Sequence, residues 1–307
     1  MRMERVRALG IRLAALLLAF VPALARAQAL EPRLYLPLPI RMNAVVGSYA
    51  HQTGDVVVDP SLPVTGFHAT MNTGTVALVR TFGVFGRSAQ LQAVLPYVTG
   101  TARATLAGVD TSRTLSGPAD PMVRLSVNLL GGPARRRAEM ARVRLGTILG
   151  ASLSLTAPLG EYDHTRRLNI GANRWSMKPE LGLIQPLAPG WAIEVYGGVV
   201  LFGHNTGYLD TSTVTQEPLW TFQSHLIRFF GRKVWVALDG TWVEGGATSV
   251  DGVVQNTFQR NARYGSTVGW AVSRSHSLKA SFSSGVYTRF GGDFNVFALG
   301  YQFNWGG

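Results

Sequence analysis

The chain has 307 residues, 29 basic and 17 acidic side chains and no cysteine, and only 15% of it is charged, against about 25% in ordinary soluble domains. Without cysteine there are no disulfide staples, so stability must come from packing or hydrogen-bonded closure. The net charge of +12 raises nucleic acid as a partner, but no nucleic-acid motif is present and none is expected to bind.

Residues 1–29 carry a basic leader (Arg2, Arg5, Arg7, Arg12), an apolar run from Leu13 to Leu24 and small-x-small sites at Ala25–Ala27 and Ala27–Ala29. A dozen apolar residues fall short of the roughly 20 that a spanning helix needs, so the segment is expected to be a signal peptide. Its removal leaves 24 basic and 16 acidic residues, a balance of +8. The next stretch, LEPRLYLPLPI, is rich in proline and resists strand formation. Residues 30–39 are therefore expected to be a periplasmic lead-in, with a plug entering a lumen as the alternative. Residues 40–307 are expected to form one domain.

That domain contains about twelve runs with alternating character, near 40–51, 69–82, 88–101, 119–130, 144–157, 174–186, 191–203, 217–230, 234–245, 259–272, 277–289 and 293–305. Each is longer than the roughly 5–6 residues of a typical soluble strand. They suit the roughly 9–11 residues that cross a bilayer at a tilt. The gaps between them alternate in length. Those at 83–87, 187–190, 231–233 and 273–276 are short, and those at 52–68, 102–118, 158–173, 204–216 and 246–258 are long. Segments 131–143 and 290–292 break the alternation. Short turns on one rim and long loops on the other are the pattern of a transmembrane barrel.

The two parities fix its orientation. In 277–289, Leu278, Ala280, Phe282 and Val286 oppose Lys279, Ser281, Ser283 and Arg289. A Lys or Arg facing lipid at mid-depth costs about 2–4 kcal/mol, so the polar parity must face a lumen. Trp175, Trp191, Trp220, Trp235 and Trp305 lie near run ends, as aromatic girdles do. The expected fold is all-β, a transmembrane antiparallel up-and-down β-barrel of about twelve strands in the bacterial outer membrane. Its lipid partners are expected to include lipopolysaccharide.

The last run, DFNVFALGYQFNWGG, sets Phe297, Tyr301, Phe303 and Trp305 on one parity, toward lipid. It must pair with the first run, because an open edge would leave amides unpaired in hydrocarbon. It also resembles the terminal signal read by outer-membrane assembly machinery, an expected partner, although Gly306 and Gly307 follow its last aromatic.

Seven charged residues fall on lumen parities: Arg124, Glu180, Glu194, Asp239, Arg263, Lys279 and Arg289. They are candidates either for a selectivity lining or for an internal mesh of ion pairs that fills a narrow barrel. The six histidines show no metal-ligand spacing, and no metal or cofactor is expected. The loop EYDHTRR (161–167) offers Arg166 and Arg167 to lipopolysaccharide phosphates, or is simply a solvated loop; ARRRAEMARVR (134–144) reads as a solvated turn or a short helix.

The segments LVRTFGVFGRSAQLQAVLPYVTG, NRWSMKPELG, SHLIRFFGRKVWVALDGTWVEGGATSVDGVVQNTFQRNARYG and HSLKASFSSGVYTRFGGDFNVFALGYQ resemble the outer-membrane transporter family labelled as meta-pathway phenol-degradation proteins. The resemblance spans most of 40–305. It implies passive admission of small apolar or aromatic solutes through a polar-lined lumen or by a lateral exit between strands. Pro96, Pro179, Gly182, Gly197 and Gly198 are expected to mark kinks where strand pairing weakens. A non-conducting structural barrel and a lipid-modifying barrel enzyme are the alternatives. Enzymatic activity is not expected: there is no Gly-x-Ser-x-Gly elbow, and Ser275–His276–Ser277 falls on a periplasmic turn.

Overall fold

A computed structural model describes residues 30–140 and 146–307. The expected signal peptide lies outside the described residues, as does part of the basic stretch 134–144. Among the described residues are seventeen strands and one helical turn, α1 (Arg137–Met140). Twelve strands close a barrel: β1 (Met42–Val57), β2 (Val64–Val84), β3 (Arg87–Leu106), β5 (Met122–Leu130), β6 (Ile148–Thr156), β7 (Ser176–Ala188), β8 (Trp191–Phe202), β11 (Leu219–Phe230), β12 (Val234–Gly245), β15 (Gln259–Ala271), β16 (His276–Thr288) and β17 (Gly291–Gly306). Every neighbouring pair is antiparallel. The ring is sealed by β1 on β17, from Met42↔Gly306 to Val57↔Gly291. Closure leaves no edge, the condition for a sheet in hydrocarbon.

Each of the twelve alternating runs is one of these strands. The faces are inverted relative to a soluble barrel. Along β11, Trp220, Phe222 and Leu226 are exposed, whereas Thr221, Gln223 and His225 are buried inside. Along β17, Phe297, Tyr301, Phe303 and Trp305 all stand on the outer surface. One rim carries tight connections. Phe85 and Gly86, both at positive φ, make the two-residue turn between β2 and β3, a conformation matched to strand twist. The opposite rim carries longer structure, including a small sheet built by β9 (Asn205–Tyr208), β10 (Ser212–Gln216), β13 (Thr248–Val250) and β14 (Val253–Val254).

Two of the expected long loops are mostly strand. β1, β2 and β3 run far past the expected ends into 52–68 and 102–118. β4 (Val109–Pro118) pairs with the upper half of β3. In these extensions the alternation is inverted: Val56, Phe67, Ala102 and Leu115 are buried inside, whereas Asp55, His68, Arg103 and Thr114 are exposed, so no apolar outer face marks them as lipid-crossing strand. Chain direction is kept across Ala119–Pro121, where β3 changes partner from β4 to β5.

Candidate functional site: a lumen closed at both ends

The Pro-rich stretch, expected as a periplasmic lead-in, runs into the barrel. Between Glu31 and Tyr35 its groups hydrogen-bond to inward-facing atoms of six strands. The Glu31 carboxylate accepts two hydrogen bonds from Arg124 on β5, at 2.9 and 3.0 Å. The Arg33 amide donates to Glu194 on β8 at 2.7 Å. The Leu34 amide donates to the Tyr196 hydroxyl at 3.2 Å. Gln90 on β3 donates to the Leu34 carbonyl at 3.1 Å, and Gln223 on β11 accepts from the Glu31 amide at 3.3 Å. The Arg33 guanidinium lies 4.9 Å over the ring of Trp235. A backbone too proline-rich to join a sheet still has carbonyls and amides to satisfy. Here the lumen-facing side chains satisfy them.

Tyr35 anchors this plug. It is 2% exposed, meets Tyr196 edge-on at a 5.2 Å ring separation, and bonds Ser152 at 2.9 Å and Glu180 at 3.1 Å. Its ring fills a slot made by two glycines on adjacent strands. A Cβ on Gly150 or on Gly182 would stand 2.2 Å from a Tyr35 ring carbon. Gly182 thus provides clearance for the plug, a different job from the kink expected of it. On the far side of the plug, a cavity of about 10 Å³ lies between Leu34–Leu38 and Thr81, Ser88, Gln90, Ser126 and Asn128, room for about one water in a polar seam.

Five of the seven candidate charges gather around the plug. Arg124 and Glu180 are held as above, and Lys178 reaches Glu180 at 2.5 Å. Glu194, His225 and Asp239 sit side by side on β8, β11 and β12. The His225 Nδ1 to Asp239 distance is 2.7 Å. Asp239 also accepts from the Thr267 hydroxyl at 2.7 Å. Lys279 is within electrostatic reach of Glu31 and Asp239. Among the described residues, His225 Nε2 and Glu194 Oε1 are buried without a hydrogen-bond partner, so the plug's seat there is imperfectly matched.

The other two charges lie apart. Arg263 bonds Ser283 at 3.2 Å and the Phe294 carbonyl, nearer the long-loop rim. Arg289 is exposed just past the end of β16, its guanidinium 5.0 Å over the ring of Phe258. It belongs to the rim rather than to the lumen, because a register shift at Ala262–Arg263 breaks the parity that assigned it. Trp235 departs from the expected girdle and points inward, where Gly269 makes room for its indole.

The long-loop end is closed by different chemistry. The loop 157–175 folds over the barrel and buries Leu168 and Ile170 against Phe67, Met71, Val98 and Phe294 of the wall. Asp120, at the break between β4 and β5, fastens it by accepting from the amides of Gly160 and Ala172, both at 2.8 Å. Behind it Arg174 is buried 4.8 Å over the Phe202 ring, and burial pushes its guanidinium down to about 10, with Tyr162 and Asp120 pulling the other way.

The barrel ladder has two weak places. Between β7 and β8 no pairs form at Lys178 and Pro179, although the register is the same on either side. Between β16 and β17 pairing stops at Ser283↔Val296 while both strands run on. Among the described residues there is no cluster of three or more His, Asp or Glu placed to hold a metal. His276, beside the two serines, bonds Tyr301 at 2.6 Å instead.

A profile of the family described as "Putative MetA-pathway of phenol degradation" matches residues 47–302. Among solved structures, an outer membrane channel from Pseudomonas putida F1 has a TM-score of 0.76 at 21% identity, covering 90% of this chain and 100% of that one. The beta domain of the Bordetella autotransporter BrkA has a TM-score of 0.55 at 15% identity, covering 86% and 99%. The translocator domain of the autotransporter NalP from Neisseria meningitidis has 0.50 at 8%, covering 94% and 99%. At these identities the likeness is one of fold. No curated protein matches the sequence.

Proposed function

This chain belongs to the family described as "Putative MetA-pathway of phenol degradation", and from that membership we propose that it is a passive outer-membrane channel for small apolar or aromatic solutes. The observation that carries the reading is the apolar closure under loop 157–175. A channel for hydrophilic solutes gains nothing from a dry mouth of Leu168, Ile170, Phe67, Met71, Val98 and Phe294. For an apolar solute the same residues form a first binding surface, since each contact replaces another of equal kind. Below it the plug stands across the direct route to the periplasm. The mouth cluster includes Phe294, which lies on the β17 side of the unpaired β16–β17 stretch, and Val296 of the last pair packs against it. An apolar solute held there leaves by that seam, the lateral exit, or descends once the plug shifts. Arg124, Glu180, Glu194, Asp239 and Lys279 act in this reading as the plug's seat, and Arg263 as a support of the mouth.

A cysteine-free chain makes the test clean. Ser284→Cys with Asn295→Cys would cross-link the seam just beyond its last pair. Liposome uptake of a small aromatic by wild type is expected, with uptake falling on oxidation of the double variant and returning on reduction. Uptake that persists in the oxidised variant removes the lateral exit and leaves the lumen route. No uptake by wild type, together with a flat trace in a planar bilayer, removes the channel itself.

A further inference from the structure

Strands β1–β4 climb past the aromatic girdle on the outside of the barrel, and what they present there is polar. Tyr49 and Tyr97 end the apolar exterior that includes Val76, Leu78, Leu91 and Leu95. Above them the cross-strand register lays down three rows on the outward face. The first is His51–Asn72–Thr99–Ser116, the second Thr53–Thr70–Thr101–Thr114, and the third Asp55–His68–Arg103–Ser112. The rows are knitted together. Tyr49 donates to Asn72 at 2.6 Å, Thr53 lies 3.1 Å from both His68 Nε2 and Thr70, and His68 Nδ1 meets Asp55 at 2.8 Å. β17 follows β1 to this height, from His51↔Phe297 to Val57↔Gly291, whereas on the far side of the ring the strands stop near the girdle: β6 ends at Thr156, β7 starts at Ser176 after Trp175, and β11 starts at Leu219 beside Trp220.

The height of this wall decides what it faces. Six residues separate Tyr97 from Arg103, about 20 Å along the strand and about 15 Å of elevation at a tilt near 40°. The polar zone of an ordinary bilayer is only about 5–7 Å thick on each side. A wall of that height, continuous with the lipid-facing surface beneath it, outreaches phospholipid headgroups and stands in the carbohydrate layer of the outer leaflet. Its side chains suit that layer. Hydroxyls, amide and imidazole groups donate and accept at fixed spacing, and one Arg among two Asp in and beside the third row gives no strong net field.

We propose that the outward face of β1–β4 is a binding surface for the core oligosaccharide of lipopolysaccharide, which it holds by hydrogen bonds to the threonine and histidine rows. The surface is distinct from the 157–175 loop, where Arg166 lies 3.5 Å from Asp163.

The test uses the full chain in nanodiscs containing phospholipid and lipopolysaccharide of either full or truncated core, with retained lipopolysaccharide counted by native mass spectrometry. Full-core lipopolysaccharide is expected to be retained preferentially. Thr70→Val with Thr101→Val keeps shape and strand propensity while removing two hydroxyls, and is expected to lower that retention about thirtyfold at about 1 kcal/mol per lost hydrogen bond. Folding of the variant is checked by its heat-dependent shift on an electrophoresis gel, and if it misfolds, Thr114→Val at the outermost strand serves in its place with about a fivefold loss. Equal retention of truncated and full cores, or retention indifferent to the substitutions, overturns the proposal. So does cross-linking of two copies through this face in lipopolysaccharide-free discs, which would give the wall to a second chain.

Discussion

The two closures of this lumen are made from opposite materials. At the long-loop end, Leu168 and Ile170 meet Phe67, Met71, Val98 and Phe294 through contacts that have no direction. At the other end Glu31, Arg33 and Tyr35 are held by hydrogen bonds and an ion pair that tolerate little displacement. An apolar guest can replace an apolar side chain at little net cost. Nothing small and apolar can replace a carboxylate in front of Arg124. The first closure therefore discriminates by solute chemistry, and the second must move as a body.

Breaking the polar closure should have the largest effect. Arg124→Ala leaves the Glu31 carboxylate buried without its cation, and removal of one partner from such a pair costs about 3–5 kcal/mol. The plug is expected to leave its seat, seen as a rise in single-channel conductance that deletion of residues 30–38 reproduces. Conductance unchanged in both would mean that the plug does not bar the lumen. The apolar closure comes next. Leu168→Ala should weaken loop packing by about 2–3 kcal/mol, toward the lower end for buried leucines because a loop can collapse onto the space. Uptake of a small aromatic by liposomes should then fall, because its first binding surface has lost a contact, while conductance through the plugged lumen changes little. Gly150→Ala tests the slot itself and has the smallest expected effect. A methyl 2.2 Å from the Tyr35 ring costs about 1–3 kcal/mol in overpacking. Its conductance phenotype should resemble a mild Arg124→Ala and should be relieved by Tyr35→Ala in the same chain. If Tyr35→Ala gives no relief, the two glycines serve something other than the plug.

Twelve strands were legible because each carries its own evidence: side chains alternate toward lipid and lumen, and that alternation is local. Lys279 and Glu180 were placed on the inner face by the same reasoning. The plug was not legible in that way. Glu31 is answered by Arg124, and Tyr35 by Gly150, Gly182 and Glu180, more than 90 residues on in every case, and nothing in the stretch 30–39 names those partners. Trp235 misled for a related reason. A tryptophan near a strand end reads as girdle unless one knows that Gly269 on the neighbouring strand has cleared space inside. Arg289 was assigned by parity across a register shift at Ala262–Arg263, where parity ceases to carry information. The tall wall reads as loop because its alternation is inverted: Val56, Phe67, Ala102 and Leu115 turn inward and the polar side chains outward, the opposite of the lipid-facing strands below.

The seal between β1 and β17 has a consequence for how the molecule is made. The inserted segment precedes the first strand and leans on strands in the middle of the chain, yet the cylinder shuts only when its final strand arrives. Threading the segment in afterwards would mean pushing charged groups through a finished opening already crowded by their own binding partners. The cylinder is therefore best formed around its contents, like a barrel coopered about a peg. A chain whose segment is misplaced at that moment would be trapped with it outside.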